Sequence, residues 1–113
     1  MSAIPDITDS ERWVVENTLK ERYGKPVEIQ LADVELRLDP GSSTLTPCPA
    51  MFWKEGNVGF VLTKVGDSRY RCQFFYSVRD QYGTGREVYD DLVECLTTLL
   101  RVQADHAAKR EGS

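Results

Sequence analysis

Residues 58–78 read VGFVLTKVGDSRYRCQFFYSV, and they contain two strand patterns around one tight turn. The first half is almost entirely apolar, and the second half alternates apolar and polar side chains. Gly66, Asp67 and Ser68 separate the halves over a length typical of a hairpin. The stretch therefore predicts antiparallel strands with one buried face and one largely solvated face.

Two further strands are predicted before this hairpin. Residues 50–54 are mostly apolar, and the glycine-containing turn at residues 55–57 joins them to the hairpin. Apolar residues at period two run through residues 27–38 and change phase within residues 31–33, which predicts a first strand with a bulge or a break there. Residues 39–43 are turn formers, and Pro47 and Pro49 keep the residues before them extended. We therefore expect an irregular connection over residues 39–49.

A helical pattern precedes the strands. Thr8 and Glu11 have the spacing of a capping box, in which each side chain accepts a hydrogen bond from the other residue's amide. An apolar stripe that includes Trp13 follows at helical spacing. The helix should end near Tyr23, because Gly24 is a favoured C-cap residue and a proline follows two positions later.

A second helical pattern closes the chain. Thr84 and Glu87 repeat the capping-box spacing, and residues 88–100 carry apolar side chains at helical period. We expect this helix to continue to about Ala108. At 1.5 Å per residue it is longer than the strands, so its polar end from Arg101 should overhang the sheet.

The predicted fold is therefore α+β, a two-layer sandwich of α-β-β-β-β-α order. An antiparallel meander sheet carries the N- and C-terminal helices on one face. A length of 113 residues, with 41% hydrophobic and 28% charged residues, fits one globular domain spanning residues 1–113. We expect residues 1–7 and 109–113 to be disordered.

Charge and hydropathy restrict the function. Eighteen acidic and fourteen basic residues give a net charge of -4, which disfavours nucleic acid and anionic membrane surfaces as partners. The first residues contain no basic and apolar signal pattern, and no apolar stretch reaches the length of a membrane span. We therefore expect a cytoplasmic protein.

The cysteines and the single histidine give little support to a metal site or to catalysis. Cys48, Cys72 and Cys95 are widely spaced without a Cys-x-x-Cys pair, and His106 falls near the expected fraying end of the second helix. We predict no disulfide framework, no metal site and no cofactor. Cys48 lies between two prolines in the irregular connection, so it is the thiol most able to react, with an unreactive loop cysteine as the alternative.

The strongest functional signal is a surplus of apolar side chains. Met51, Phe52 and Trp53 are consecutive, and a strand cannot point all three at one core. Either Phe52 or the Met51/Trp53 pair must face away from it. This predicts a non-catalytic interaction or accessory domain, self-associating as a homodimer or docking a protein partner. The residues expected on this surface are Phe52, Trp53, Val61, Phe75 and Arg71. Alternatively, residues 42–49 or the start of the first strand cover it.

A second hypothesis comes from the loop before the last helix. Gly83, Thr84 and Gly85 could present backbone amides to a small anion, with Arg86 as a second contact. This predicts a small anionic-ligand-binding protein or enzyme that uses Tyr82, Thr84, Gly85 and Arg86, with Cys48 as a further candidate at the same pocket. The loop lacks the Lys-Ser/Thr of a phosphate-binding loop, and a flexible loop that ends in an N-cap threonine explains the same residues.

Overall fold

The chain forms a sheet of five strands with one helix at each end of the sequence. Its structure is a computed structural model that describes residues 4–37, 41, 43–77, 80–86 and 88–112, with side chains up to Lys109. The elements in chain order are α1 (Asp9–Tyr23), β1 (Gln30–Leu36), β2 (Thr46–Glu55), β3 (Val58–Gly66), β4 (Arg69–Ser77), β5 (Asp80–Gly83) and α2 (Leu92–Gly112). Predictions made for residues 1–3, 38–40, 42, 78–79, 87 and 113 lie outside the described residues.

The predicted fold class is confirmed, with one strand more than expected. The strands pair antiparallel in the order β1-β2-β3-β4-β5, so the sheet is a meander, and both helices contact it. The additional strand, β5, pairs with the second half of β4. From the sequence we expected a loop at residues 80–83. A strand of four residues has too few positions to show the alternation of apolar and polar side chains.

Helix α1 begins and ends as its capping residues predicted. The Thr8 Oγ1 accepts from the Glu11 amide at 3.1 Å, and the Glu11 carboxylate accepts from the Thr8 amide at 2.8 Å. Gly24 ends the helix with φ 72°. Trp13 was wrongly placed on the apolar stripe, because it lies about 200° around the helix from the buried Val15 and is 63% exposed.

Strands β1 and β2 differ from their predicted forms. The described β1 residues pair with β2 continuously and without a register shift, so the predicted bulge or break at residues 31–33 is wrong. β2 is ten residues long and includes Pro47, Cys48 and Pro49, which we expected in an irregular connection. The prolines are tolerated because β3 pairs with β2 only from Ala50 onward, so they lie where β2 has a single neighbouring strand. Their extended backbone preference suits a strand as well as a loop.

Helix α2 starts seven residues later than the sequence indicated. Thr84 does not cap it; the Asp91 carboxylate does, accepting from the amides of Val93 at 2.9 Å and Glu94 at 3.2 Å. The segment before the helix runs beside β4 instead, and Tyr89 forms a two-hydrogen-bond bridge with Tyr70, each 2.8 Å. This bridge competes with helix formation by fixing an extended backbone at Tyr89.

The core lies between the sheet and the two helices. The fully buried side chains include two large aromatic residues on neighbouring strands, Trp53 and Phe60, and the buried residues of both helices. The helix residues in this cluster are Val15, Leu19, Cys95, Leu96, Leu99 and Leu100. One layer of apolar contacts therefore joins both helices to strands β2, β3 and β4.

A buried polar cluster fastens α1 to the sheet. The Lys64 ammonium donates to the Glu11 carboxylate at 2.8 Å and to the Asp6 carbonyl at 3.0 Å, and the Tyr70 hydroxyl donates to the other Glu11 oxygen. The side chains of Lys64 and Glu11 are only 4% and 13% exposed. Burial raises the pKa of Glu11, but the hydrogen bonds from Lys64, Thr8 and Tyr70 outweigh burial and hold this pKa below its ordinary value.

Candidate functional site: the outer face of the sheet

We call the sheet surface turned away from the helices the outer face. It consists of alternate residues on each strand, and the pairing register aligns them in rows across the sheet. One row contains Phe52, Val61 and Gln73, and the next contains Lys54, Gly59 and Phe75. In the opposite direction along the strands, a third row contains Ala50, Thr63 and Arg71.

An apolar patch occupies the first two rows. We define it as Phe52, Val61 and Phe75, all of which are partly exposed. The rings of Phe52 and Phe75 stack with centroids 5.8 Å apart and planes 26° apart. Gly59 makes room for this arrangement, because a Cβ there would lie 2.5 Å from the Phe75 ring. The placement of these three residues agrees with the predicted surface.

Trp53 does not belong to the patch, and its assignment to a partner-binding surface is wrong. Met51 and Trp53 point toward the helices, and Trp53 is 1% exposed. Its ring stacks on Phe60 with centroids 5.4 Å apart. Of the two alternatives that the Met51-Phe52-Trp53 run left open, the structure has Phe52 facing away from the core. Among the described residues, the Trp53 Nε1 has no hydrogen-bond partner.

The alternative that chain segments cover the patch finds no support in the described residues. Ser43, Thr44 and Leu45 are exposed, and Leu45 is 50% exposed. Residues 46–49 belong to β2 and lie within the sheet. Residues 27–29, which precede β1, contribute Val27 and Ile29 to the helix-side core.

The sequence placed Cys48 in an exposed loop, and this is wrong. Cys48 is fully buried in β2, on the same side of the strand as Ala50 and Phe52, and its thiol donates to the Thr46 carbonyl at 3.4 Å. Burial raises the pKa of the Cys48 thiol, and the charge of Arg71 opposes this rise only in part. A buried thiol of raised pKa is a poor nucleophile.

A groove of ≈ 330 Å³ joins the outer face to the loop before α2. Its lining residues are Leu36, Arg71, Cys72, Gln73, Gly83, Thr84, Gly85 and Arg86. Leu36 belongs to one edge strand and Gly83 to the other, so the sheet curls until both edges border the same groove. The groove therefore brings three of the predicted anion-binding residues next to Arg71.

The predicted anion-binding set does not converge. Tyr82 points to the helix side of the sheet, and its hydroxyl donates to the Asp80 carboxylate at 2.5 Å. Arg86 lies over the Tyr89 ring at 4.8 Å and donates to the Glu94 carboxylate at 2.7 Å. The Thr84 and Tyr89 hydroxyls share a hydrogen bond of 2.5 Å. An anion at Arg86 would have to compete with Glu94.

Sequence reasoning missed an aromatic cluster under the end of α2. His106 is half-buried there, with its ring centroid 4.2 Å from that of Tyr82 and its Nδ1 3.3 Å from the Tyr76 hydroxyl. Gln103 also donates to the Tyr76 hydroxyl, at 3.4 Å. Gln103 and His106 therefore pack on β4 and β5, and the prediction that α2 overhangs the sheet from Arg101 is wrong at these positions. The signal was present in the sequence, since residues 92, 96, 99, 103 and 106 follow helical spacing.

Within the described ranges, no helix is both long and apolar enough to cross a membrane. No group of three or more His, Cys, Asp or Glu side chains suited to a metal ion occurs among the residues that the structure describes.

Comparison of the chain with protein-family models, with curated protein sequences and with solved structures found no match.

Proposed function

We propose that this chain is a non-catalytic protein-interaction module that docks a partner protein through the outer face of its sheet. The observation that carries the proposal is the patch of Phe52, Val61 and Phe75, whose side chains are partly exposed on the side of the sheet away from the helices. Both helices lie on the opposite side, so the hydrophobic core is complete without these three side chains. Partly exposed aromatic residues that the core does not need are typical of binding surfaces.

A cytoplasmic location is part of the same proposal. All three cysteines are free and buried, which suits a reducing compartment. The proposal includes both a heteromeric partner and a second copy of the chain as occupants of the outer face.

Native mass spectrometry of the protein purified from its own host tests the proposal. We expect a dimer or a heteromeric complex, and loss of that complex in Phe75→Asp, because a charge would be buried against the partner. Val61→Ser is a milder second variant in case Phe75→Asp fails to fold. Trp13→Asp is the matched control, since Trp13 is an exposed aromatic residue on α1. A monomer without retained partner, or a complex that survives both outer-face variants, contradicts the proposal.

The groove beside the patch supports a second candidate function, the binding of a small anion. The observation that favours it is the presence of Arg71, Gln73 and Arg86 along one groove. We expect a thermal shift with members of an anionic metabolite library that disappears in Arg86→Ala. If no member of the library shifts the unfolding temperature, this candidate falls.

A further inference from the structure

Acidic residues are distributed unevenly between the two faces of the sheet. The outer face carries Lys54, Arg69 and Arg71 but, among the described strand residues, no aspartate or glutamate. The acidic residues of the described strands all point to the helix side, and they are Asp33, Glu35, Glu55 and Asp80. The outer face is thus cationic in a chain whose net charge is -4.

One exposed cation of the outer face lies beside the apolar patch, and another lies farther along the same face. Lys54 is in the same row as Phe75, whereas Arg69 precedes Phe75 by six residues on β4, a distance of about 20 Å at roughly 3.3 Å per residue. Arg69 and Lys54 are exposed. Glu28, just before β1, is an acidic residue at the border of this surface, and it lines a shallow groove with Lys54 and Phe52.

We propose that the partner presents an acidic, amphipathic segment to the outer face. Its apolar side chains contact Phe52 and Phe75, and its carboxylates lie toward Lys54 at one end and Arg69 at the other. This inference rests on the proposed function. The span of about 20 Å between Phe75 and Arg69 fits a partner segment of roughly six extended residues or a helix of about thirteen residues.

Charge complementarity selects this occupant over a second copy. If two copies met through the same face, a twofold axis would place the cations of one copy near those of the other. Like charges brought together in this way disfavour the complex. An acidic segment of another protein gains from the same cations, and its association should weaken as salt rises.

Site-specific photo-crosslinking of the full chain in its host tests the inference. A benzophenone amino acid replaces Val61 in the centre of the patch, and a control protein carries it in place of the exposed Trp13. We expect an adduct from position 61 that maps to a segment of another protein rich in aspartate and glutamate. Its yield should fall about tenfold in Lys54→Glu/Arg69→Glu. The control Lys20→Glu/Arg101→Glu changes the net charge equally on exposed helix residues and should leave the yield unchanged.

The outcomes separate the inference from the proposed function. An adduct with a neutral or basic protein segment, or with a second copy of the chain, overturns the acidic partner and leaves the interaction module standing. An adduct of unchanged yield in Lys54→Glu/Arg69→Glu also overturns the acidic partner. An adduct with RNA, or no adduct above the Trp13 control, overturns both.

Discussion

Replacing Lys64 with methionine tests whether the buried ion pair holds α1 on the sheet. Methionine keeps the length and apolar stem of the lysine but removes its charge, so the Glu11 carboxylate loses its cation while still 13% exposed. Removing one partner of a buried pair costs about 3–5 kcal/mol in typical cases. The Tyr70 hydroxyl and the Thr8 amide still donate to Glu11, so we expect the lower end, about 3 kcal/mol. This is a large part of the roughly 5–15 kcal/mol that stabilises a typical domain.

Urea denaturation followed by tryptophan fluorescence measures this loss. Trp53 is buried and should change its emission on unfolding, while Trp13 is 63% exposed and should change little. The Trp13→Phe background therefore isolates the core signal. Lys25→Met is the matched control, because the Lys25 ammonium pairs with Glu55 at 3.1 Å with side chains 61% and 26% exposed. We expect that control to lose less than about 1 kcal/mol.

A double variant separates the unpaired charge from the lost packing. In Glu11→Gln/Lys64→Met no charge remains buried, and glutamine still suits the capping box with Thr8. We expect the double variant to lose less free energy of unfolding than the two single variants added together, by at least about 1 kcal/mol. If Lys64→Met lies within about 0.5 kcal/mol of the parent protein at an unchanged m-value, the assigned role of the pair is refuted.

The remaining predictions concern pH, a glycine and the thiols. Because the pKa of Glu11 is lowered from 4.5, its stabilising effect is present above that value and is lost as pH falls through the folded-state pKa. Glu11→Gln should therefore flatten the acid side of a curve of unfolding free energy against pH, and an unchanged slope would contradict the stabilising role of the ionised Glu11. Gly59→Ala should cost about 1 kcal/mol by pushing the Phe75 ring off Phe52, whereas Gly83→Ala, which meets nothing within 4 Å, should be neutral or slightly stabilising in the same denaturation assay. In a thiol titration at neutral pH, Cys48 and the other two cysteines should react only after unfolding, and rapid labelling of native protein would show that burial does not protect them.

Local signals predicted α1 closely because its ends are determined by residues next to them in sequence. Thr8 and Glu11 satisfy each other's amides, and Gly24 accepts the left-handed backbone that ends the helix. Neither feature depends on the rest of the chain. The same capping-box spacing at Thr84 misled, because the Tyr70 and Tyr89 bridge connects residues nineteen positions apart and no local pattern contains it.

The two-faced apolar pattern of β2 and β3 could be detected but not resolved from sequence. Because side chains alternate along a strand, the run Met51-Phe52-Trp53 must point at least one apolar residue away from the core. The alternation alone does not say whether that residue is Phe52 or the Met51/Trp53 pair. The choice depends on the register with β3, where Trp53 pairs with Phe60 and Phe52 with Val61. Once that register is known, the side of every neighbouring residue follows.

The same register explains why the charge asymmetry of the sheet was invisible in the sequence. Glu55 and Lys54 are adjacent in the chain, yet they point to opposite faces because successive side chains of a strand alternate. Composition over the whole chain therefore averages the two faces and reports an acidic protein. Only when the strands are aligned do Lys54 and Arg69 come to share the surface of Phe52 and Phe75. A cationic face on an acidic chain is thus a property of the sheet rather than of the overall composition, and under the proposed function charge variants on the two faces should affect partner binding differently even when they change net charge equally.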